Sequence, residues 1–206
     1  MELLLRRLLI TATAALACAS SLAQDPSASS TATAQKNILI VYLSRTQNTA
    51  VVADIIQEQV GGRLEPIELQ TPYPADYDAI VAQVARENDT GYLPPLKTEI
   101  QSIRAYDILF VGFPTWGMQL PPPVKSFLKR HDLSGKTVVP FNTHGGYGAG
   151  STFQSIEQLC PKSKVIEGLS VRGGLERDGI ELAIKGERRD EVARQVTAWL
   201  RRAQLF

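Results

Sequence analysis

The chain has 206 residues, of which 44% are hydrophobic and 21% are charged, and its formal net charge is +1. This composition is typical of a soluble globular protein with one well-filled core, and it excludes a collagen-like or disordered chain. Nucleic-acid binding normally requires a basic face, so no nucleic-acid partner is expected. The two histidines do not form a cluster with metal-ligand spacing, so no metal site is predicted.

The first 23 residues have the features of a signal peptide. Arg6-Arg7 precedes an apolar run over residues 8–17 that is too short to span a bilayer, and residues 21–23 end in small side chains suited to cleavage. We therefore expect cleavage after Ala23, export to the periplasm, and no membrane-spanning segment in the mature chain. Cleavage would remove one net positive charge and leave a neutral protein.

The export route and the membrane anchor have alternatives. Residues 6–9 partly match a twin-arginine export signal, but Leu5 stands where that signal carries Ser or Thr, so the general secretory route is the first expectation. Lipid attachment at Cys18 is the weaker alternative, because residues 15–17 match a lipobox poorly. Without Cys18, Cys160 has no partner for an intramolecular disulfide, and it is predicted to be a small buried side chain.

Residues 24–36 are rich in Ser, Ala and Thr and are predicted to form a flexible linker, which leaves residues 37–206 as one domain. In that domain apolar runs alternate with helical patterns. Strands are predicted at 38–43, 64–69, 108–111, 136–141 and 164–171. Helices are predicted at 49–60, from an opening at 73–76, after the three prolines 121–123, at 151–159 with a capping box from Ser151, and near the C-terminus with Val192, Val196, Trp199 and Leu200 on one face.

Alternating strands and helices with short connections predict a three-layer α/β domain with a parallel sheet. Two features fit this pattern poorly. Pro140 lies inside a strand that should be internal, where its missing N–H is unfavourable. Residues 179–184 alternate like an additional strand and are interpreted as a small hairpin or edge strand.

Three loops follow strands one, three and four, at the edge of the sheet where parallel α/β domains bind ligands. The loop at 44–49 places hydroxyl and amide side chains at a helix N-terminus, where unpaired backbone N–H groups and the helix dipole favour an anion. It lacks the Lys of a nucleoside-triphosphate loop, so a phosphomonoester fits better. The loop at 113–119 carries Trp116, and the loop at 142–150 is rich in glycine.

Each loop alone has a simpler interpretation. The first could be only a capped helix start, Trp116 a packing residue, the third loop a flexible turn, and His144 a surface side chain. Together they provide a phosphate cradle, a flat aromatic ring and a backbone that a ligand can approach closely. That combination suits a flat heteroaromatic ring on a chain ending in phosphate, and flavin mononucleotide (FMN) matches this description.

Several motifs in this chain resemble the flavodoxin family, especially a flavodoxin-like subgroup, and they occur in order. The matching segments are ILIVYLSRTQNT at 38–49, YPADY at 73–77, residues 106–116, residues 135–150 with THGGYGAG, and residues 158–161 and 168–173. The resemblance implies noncovalent FMN and a five-stranded parallel sheet of order 2-1-3-4-5.

The resemblance also implies positions for the cofactor-binding residues. The phosphate would lie against the first loop, which contains Ser44, Arg45, Thr46, Gln47, Asn48 and Thr49. One side of the flavin ring would face Pro114, Thr115, Trp116, Gly117 and Met118, with Trp116 stacking and the backbone near Gly117 facing N5. The other side and the pyrimidine end would face Thr143, His144, Gly145, Gly146, Tyr147 and Gly148.

The chain departs from the family in three ways. Gln47 replaces a glycine of the phosphate loop, Gly117 replaces a second tryptophan, and the mature chain is neutral where carrier flavodoxins are acidic. The first interpretation is an electron carrier that passes electrons through FMN to a redox partner protein. The alternatives are an NAD(P)H-dependent FMN or quinone oxidoreductase acting on a small acceptor, and a binding module on the same scaffold that has lost FMN.

Overall fold

The computed structural model describes residues 36–205; Phe206 and residues 1–35, with the predicted signal peptide and nearly all of the predicted linker, lie outside this range. The strands are β1 (Ile38–Tyr42), β2 (Arg63–Pro66), β3 (Ile108–Pro114), β4 (Thr137–His144), β5 (Lys164–Val165) and β6 (Leu169–Arg172). The helices are α1 (Asn48–Val60), α2 (Tyr77–Thr90), α3 (Pro122–Arg130), α4 (Thr152–Leu159) and α5 (Glu187–Arg202). Within residues 36–205, no helix is both long and apolar enough to cross a membrane.

All strands of the sheet are parallel, and their order is β2-β1-β3-β4-β5, with β6 also pairing with β4. The predicted α/β class and the order 2-1-3-4-5 are therefore confirmed. The carboxyl ends of β1, β3 and β4 meet at one edge of this sheet, so the three predicted loops lie side by side.

Two apolar clusters cover the two faces of the sheet. One joins the strands to α1 and α5 and includes Ile55, Phe110 and Trp199. The predicted apolar face of α5 is buried there, as Val192, Val196, Trp199 and Leu200 are at most 6% exposed. The other cluster joins the strands to α3 and α4. Cys160 belongs to the second cluster, which confirms it as a small buried side chain; burial raises the pKa of its thiol to about 11.

Pairing between neighbouring strands lengthens the central elements beyond their apolar runs. β3 and β4 stay in register as far as Pro114 and Thr143. Thr143 and His144 therefore belong to β4, whereas the sequence predicts them in the loop that follows it. β2 ends earlier than predicted, at Pro66. α2 begins only at Tyr77, because the Asp76 carboxylate caps it by accepting a hydrogen bond from the N–H of Ala79 at 2.8 Å.

The predicted fifth strand is interrupted, and the interruption accommodates Pro140. β5 pairs with Thr137 and Val138, whereas β6 pairs with β4 only from Phe141 onward. Alternate residues of a parallel strand direct their backbone groups to opposite neighbours. The carbonyl of Val138 accepts a hydrogen bond from the N–H of Ile166, which follows β5. The backbone groups of position 140 therefore also point toward β5 and β6. Its missing N–H therefore lies opposite the gap between β5 and β6.

One local prediction was wrong, and another holds only in part. Ser151 precedes α4 but its side chain does not cap the helix; its hydroxyl donates instead to the carbonyl of Met118 at 3.2 Å. Residues 181–184 form no strand, although a single antiparallel bridge joins Leu175 to Ile180. Their backbone groups bond to the side chain of Asn48 in place of a neighbouring strand.

Candidate functional site

The first loop leads directly from β1 into α1. Gln47 is the residue before the helix and has φ 64° and ψ −8°, in the left-handed region. Among the described residues, the backbone N–H groups of residues 46–49 have no hydrogen-bond acceptor. Four unpaired donors at a helix N-terminus are the arrangement that binds a phosphate group.

The hydroxyl groups of this loop are oriented by the protein. Ser44 Oγ accepts a hydrogen bond from the N–H of Ala50 at 3.2 Å, and Thr46 Oγ1 accepts one from Asn48 Nδ2 at 2.9 Å. Each oxygen is thus occupied as an acceptor, which leaves its own hydroxyl proton for a ligand. Thr49 is buried and shares a 2.8 Å hydrogen bond with Thr143, so it joins α1 to β4 instead.

Asn48 lies in the predicted loop, but its side chain bonds only to protein groups. Its Nδ2 donates to the Thr46 hydroxyl and carbonyl and, at 2.6 Å, to the carbonyl of Glu181. Its Oδ1 accepts from the N–H groups of Ala183 and Ile184 at 3.0 and 3.1 Å. The side chain therefore holds residues 181–184 against the loop, and only its backbone N–H can reach a phosphate.

Arg45 also bonds to the protein. Its Nε donates to the carboxylate of Glu176 at 2.7 Å, and its two terminal nitrogens donate to the carbonyls of Pro74 and Ala75 at 3.0 and 2.7 Å. One guanidinium thus joins three segments around the site, and its charge is paired with Glu176.

Gln47 holds a conformation that glycine adopts without strain. A non-glycine residue in the left-handed region is disfavoured by roughly 1–2 kcal/mol. We expect Gln47→Gly to raise the free energy of unfolding by about 0.5–1 kcal/mol, since glycine recovers that strain but loses more chain entropy on folding. Urea unfolding measures the change. Gln57→Gly in the interior of α1 is the matched control and should lower stability by about 1 kcal/mol. A loss in both variants would contradict strain at position 47.

The second loop forms a tight turn. Trp116 and Gln119 exchange backbone hydrogen bonds at 3.3 and 2.9 Å, and both central residues have positive φ, 55° at Gly117 and 61° at Met118. This pattern is a type I′ turn, which requires positive φ at both central residues. The positive φ of Gly117 thus serves the turn, and Trp116 at its base packs in a T-shaped arrangement with Tyr73, with 5.6 Å between the ring centroids.

The third loop begins at the end of β4 and is organised by His144. The ring Nδ1 accepts hydrogen bonds from the N–H groups of Gly146 and Gly148 at 3.0 and 3.1 Å. The ring is therefore neutral and carries its proton on Nε2. Burial lowers the pKa of His144, and the nearby charge of Arg172 lowers it further. At Gly145, a Cβ would meet the Leu175 Cδ1 at 2.6 Å, so a larger residue there would require the Leu175 side chain to move.

His144 makes stability depend on pH. The unfolded chain takes up a proton near pH 6.5, and the folded protein only at a lower pH. We expect stability to fall as the pH drops below about 6.5 and to level off below the folded-state pKa. His144→Asn supplies a non-titrating acceptor near the position of Nδ1 and should remove this component in chemical unfolding between about pH 5 and 7. His131 is unchanged in both proteins, so an identical pH profile would contradict the assignment.

A cavity of about 330 Å³ opens between these loops. Ten predicted site residues line it, namely Arg45, Thr46, Asn48, Pro114, Thr115, Trp116, Gly117, Thr143, His144 and Gly145. The others lie outside its lining, namely Ser44, Gln47, Thr49, Met118, Gly146, Tyr147 and Gly148. Met118 and Tyr147 are exposed, at 44% and 66%.

Sequence reasoning missed two walls of the cavity. One is the side of α2 that carries Tyr77, Ile80, Val81, Val84, Ala85, Asn88 and Asp89, and the other is residues 173–176 after β6. The apolar spacing on α2 was visible in the sequence, but such a stripe normally covers a sheet. The pair Gly173-Gly174 was the signal for the second wall.

The residues present fit FMN. The unpaired N–H groups and the two hydroxyls suit its phosphate, Trp116 offers a flat aromatic surface, and the cavity volume lies within the range of cofactor sites. A flavodoxin family model matches residues 37–185. The chain belongs to the flavodoxin family. This membership confirms the predicted resemblance to the flavodoxin family and the predicted cofactor, FMN.

Individual proteins similar to this flavodoxin-family chain are also flavoproteins. It is 25% identical over 159 residues to the FMN-dependent NADH:quinone oxidoreductase 1 of Cupriavidus pinatubonensis, covering 74% of this chain and 71% of the relative. A candidate flavoprotein from Bacteroides eggerthii has a TM-score of 0.67 and 28% identity over 83% of this chain and 99% of its own. A Lactobacillus acidophilus flavoprotein in complex with FMN shares the fold, with a TM-score of 0.59 and 20% identity. The match covers 66% of this chain and 93% of that flavoprotein.

Proposed function

We propose that this protein is an electron carrier that holds FMN noncovalently in the cavity. Its phosphate would lie on the unpaired N–H groups of residues 46–49 with the hydroxyls of Ser44 and Thr46, and its ring would lie between the Trp116 turn and the loop from His144 to Gly148. The observation that most strongly supports this proposal is the cluster of unpaired backbone N–H groups beside a cavity that Trp116 lines. Bound FMN supplies the redox chemistry, accepting and releasing electrons.

The chain itself would bind and orient the cofactor. The neutral His144 ring accepts hydrogen bonds from the N–H groups of Gly146 and Gly148, which fixes the backbone of the loop that follows the cavity-lining residues His144 and Gly145. The type I′ turn fixes the backbone of Trp116 on the opposite side of the proposed flavin ring. Met118 and Tyr147 form the exposed rim of these two loops and are the proposed contact for a redox partner protein.

A visible absorption spectrum of the purified protein tests this proposal. A bound flavin spectrum, with one FMN released per chain on denaturation, is the expected result. Anaerobic reductive titration then separates the two redox roles: a long-wavelength absorption band at half reduction supports the carrier. A protein that takes up no added FMN would contradict FMN binding and favour the binding module.

The second candidate is an NAD(P)H-dependent quinone oxidoreductase. It is supported by the Cupriavidus relative and by the apolar wall that α2 adds to the cavity. Steady-state oxidation of NADH or NADPH in the presence of menadione tests it. Turnover above the rate of free FMN at the same concentration would favour the enzyme, and turnover equal to free FMN would leave the carrier.

The cellular location is likewise a proposal. The charged, apolar and small-residue segments of residues 1–23 support export to the periplasm. Replacing Arg6 and Arg7 by lysine should leave export unchanged if the general secretory route is used. Complete loss of export would instead assign the protein to the twin-arginine route, which carries folded proteins with their cofactor.

A further inference from the structure

Asn142 is a buried amide on β4, just behind the cavity wall. Its side chain is completely buried, and it does not line the cavity itself. Its Nδ2 donates a hydrogen bond to Thr115 Oγ1, whereas its Oδ1 is the one buried side-chain polar atom of residues 36–205 without a hydrogen-bond partner. An unpaired buried carbonyl lowers stability. Stability therefore does not account for an amide at this position, and its bond to Thr115 needs a different explanation.

Thr115 is held rigidly at the end of β3 and lines the cavity. Its N–H donates to the carbonyl of Thr143 at 2.8 Å, so the pairing with β4 continues one residue beyond β3. Asn142 is in register with Phe113, two residues before Thr115. Side chains two positions apart on a strand lie on the same face of the sheet. The strand pairing therefore fixes both partners of the hydrogen bond between Asn142 and Thr115.

The bond from Asn142 determines what the Thr115 hydroxyl can offer a ligand. A hydroxyl has one proton to donate and two lone pairs that accept. Thr115 Oγ1 accepts from Asn142 Nδ2, and within residues 36–205 no protein group accepts the Thr115 proton. Thr115 thus brings an oriented hydrogen-bond donor to the part of the cavity next to Trp116, where the FMN ring is proposed to lie.

An oriented donor beside a flavin interacts differently with its two redox states. Reduced flavin carries negative charge at neutral pH that oxidised flavin lacks, and hydrogen bonds to the ring are among the ways a protein tunes it. A hydrogen bond to a charged acceptor is roughly twice as strong as one to a neutral acceptor. A donor that is already in place therefore favours the reduced state and raises the reduction potential.

We propose that Asn142 is a positioning residue, which directs the Thr115 hydroxyl proton toward the flavin ring and so raises the reduction potential of bound FMN. Asn142 would act only through Thr115, without touching the cofactor. The inference rests on the proposed binding of FMN between the loops, and it adds a buried residue that helps to set the potential.

Anaerobic redox titration of the FMN-loaded protein against a reference dye tests this proposal. Thr115→Val removes the hydroxyl at nearly constant shape, and we expect it to lower the two-electron midpoint potential by about 30 mV, which is a tenfold change in the ratio of the Kd values of oxidised and reduced FMN. Asn142→Leu releases the hydroxyl to rotate and should change this ratio by roughly threefold to tenfold. The double variant should match Thr115→Val, because Asn142 acts through Thr115.

Two controls separate this role from a structural one. Thr115→Ser keeps the hydroxyl and should leave the ratio of the two Kd values within about twofold of the unaltered protein. Thr98→Val removes a buried hydroxyl outside the cavity lining, which bonds to the carbonyl of Pro66 and the N–H of Glu68. It should lower the stability of the protein in urea unfolding without changing the midpoint potential.

Three results would overturn the role of Asn142. An unchanged or higher potential in Thr115→Val would show that Thr115 does not donate to the ring. Equal weakening of oxidised and reduced FMN in Thr115→Val would leave Thr115 as a packing residue only. A further fall in potential from Thr115→Val to the double variant would show that Asn142 does not act through Thr115. Failure of the unaltered protein to bind FMN is a separate result, and it would contradict the proposed function.

Discussion

Asn48→Ala should lower the free energy of unfolding by about 2–4 kcal/mol. Asn48 is 3% exposed, and its side chain accepts from two backbone N–H groups and donates to a backbone carbonyl of the distant segment 181–184. Alanine would leave these groups without partners, and each unsatisfied buried group costs about 1–3 kcal/mol. Water reaching the segment offsets part of this loss.

Urea unfolding measures the change, with Asn37→Ala as the surface control, expected within about 0.5 kcal/mol of the unaltered protein. Native-state hydrogen exchange adds a local test, since the amides of Ala183 and Ile184 should lose protection before the rest of the domain. Equal stability of the two variants would show that residues 181–184 are held by other contacts.

Thr46→Glu should weaken FMN binding at least a hundredfold while leaving riboflavin binding nearly unchanged. A phosphomonoester carries nearly two negative charges at neutral pH. A carboxylate about 5 Å away repels it by several kcal/mol at an effective dielectric constant near 20, and about 2.7 kcal/mol is a hundredfold in Kd. Riboflavin has the same ring but no phosphate.

Flavin fluorescence titrations give both affinities. Thr46→Gln is the matched control, because it has the same length without the charge; it should lose only the hydroxyl contribution, about 1 kcal/mol. If the glutamate variant loses FMN and riboflavin equally, position 46 is not at the phosphate. If Thr46→Glu and Thr46→Gln lower the FMN affinity equally, the loss comes from the shape of the new side chain and not from its charge.

The fold and the three loops follow from the sequence because their signals are local. Each strand is a short apolar run, and the loops begin where these runs end. The parallel connections then place the loops at one edge. The family resemblance added the sheet order and the cofactor, which periodicity alone does not contain.

The missed features depend on contacts between distant residues. Asn48 is indistinguishable from a phosphate ligand in the sequence, because its partners at 181–184 lie more than 130 positions away. Arg45 is similar, since Glu176 neutralises it. The stripe on α2 has the spacing of a core helix, and only the position of Leu96 and Ile100 shows that the sheet was already covered.

The gap between β5 and β6 also bears on how the folded protein behaves at high concentration. Edge strands expose unpaired backbone groups that can add a strand from another molecule, and short or broken edges limit this. β5 has 2 residues, β6 has 4, and β2 at the opposite edge has 4. Neither border of the sheet offers a long, flat template, so the break that accommodates Pro140 also guards against intermolecular strand addition.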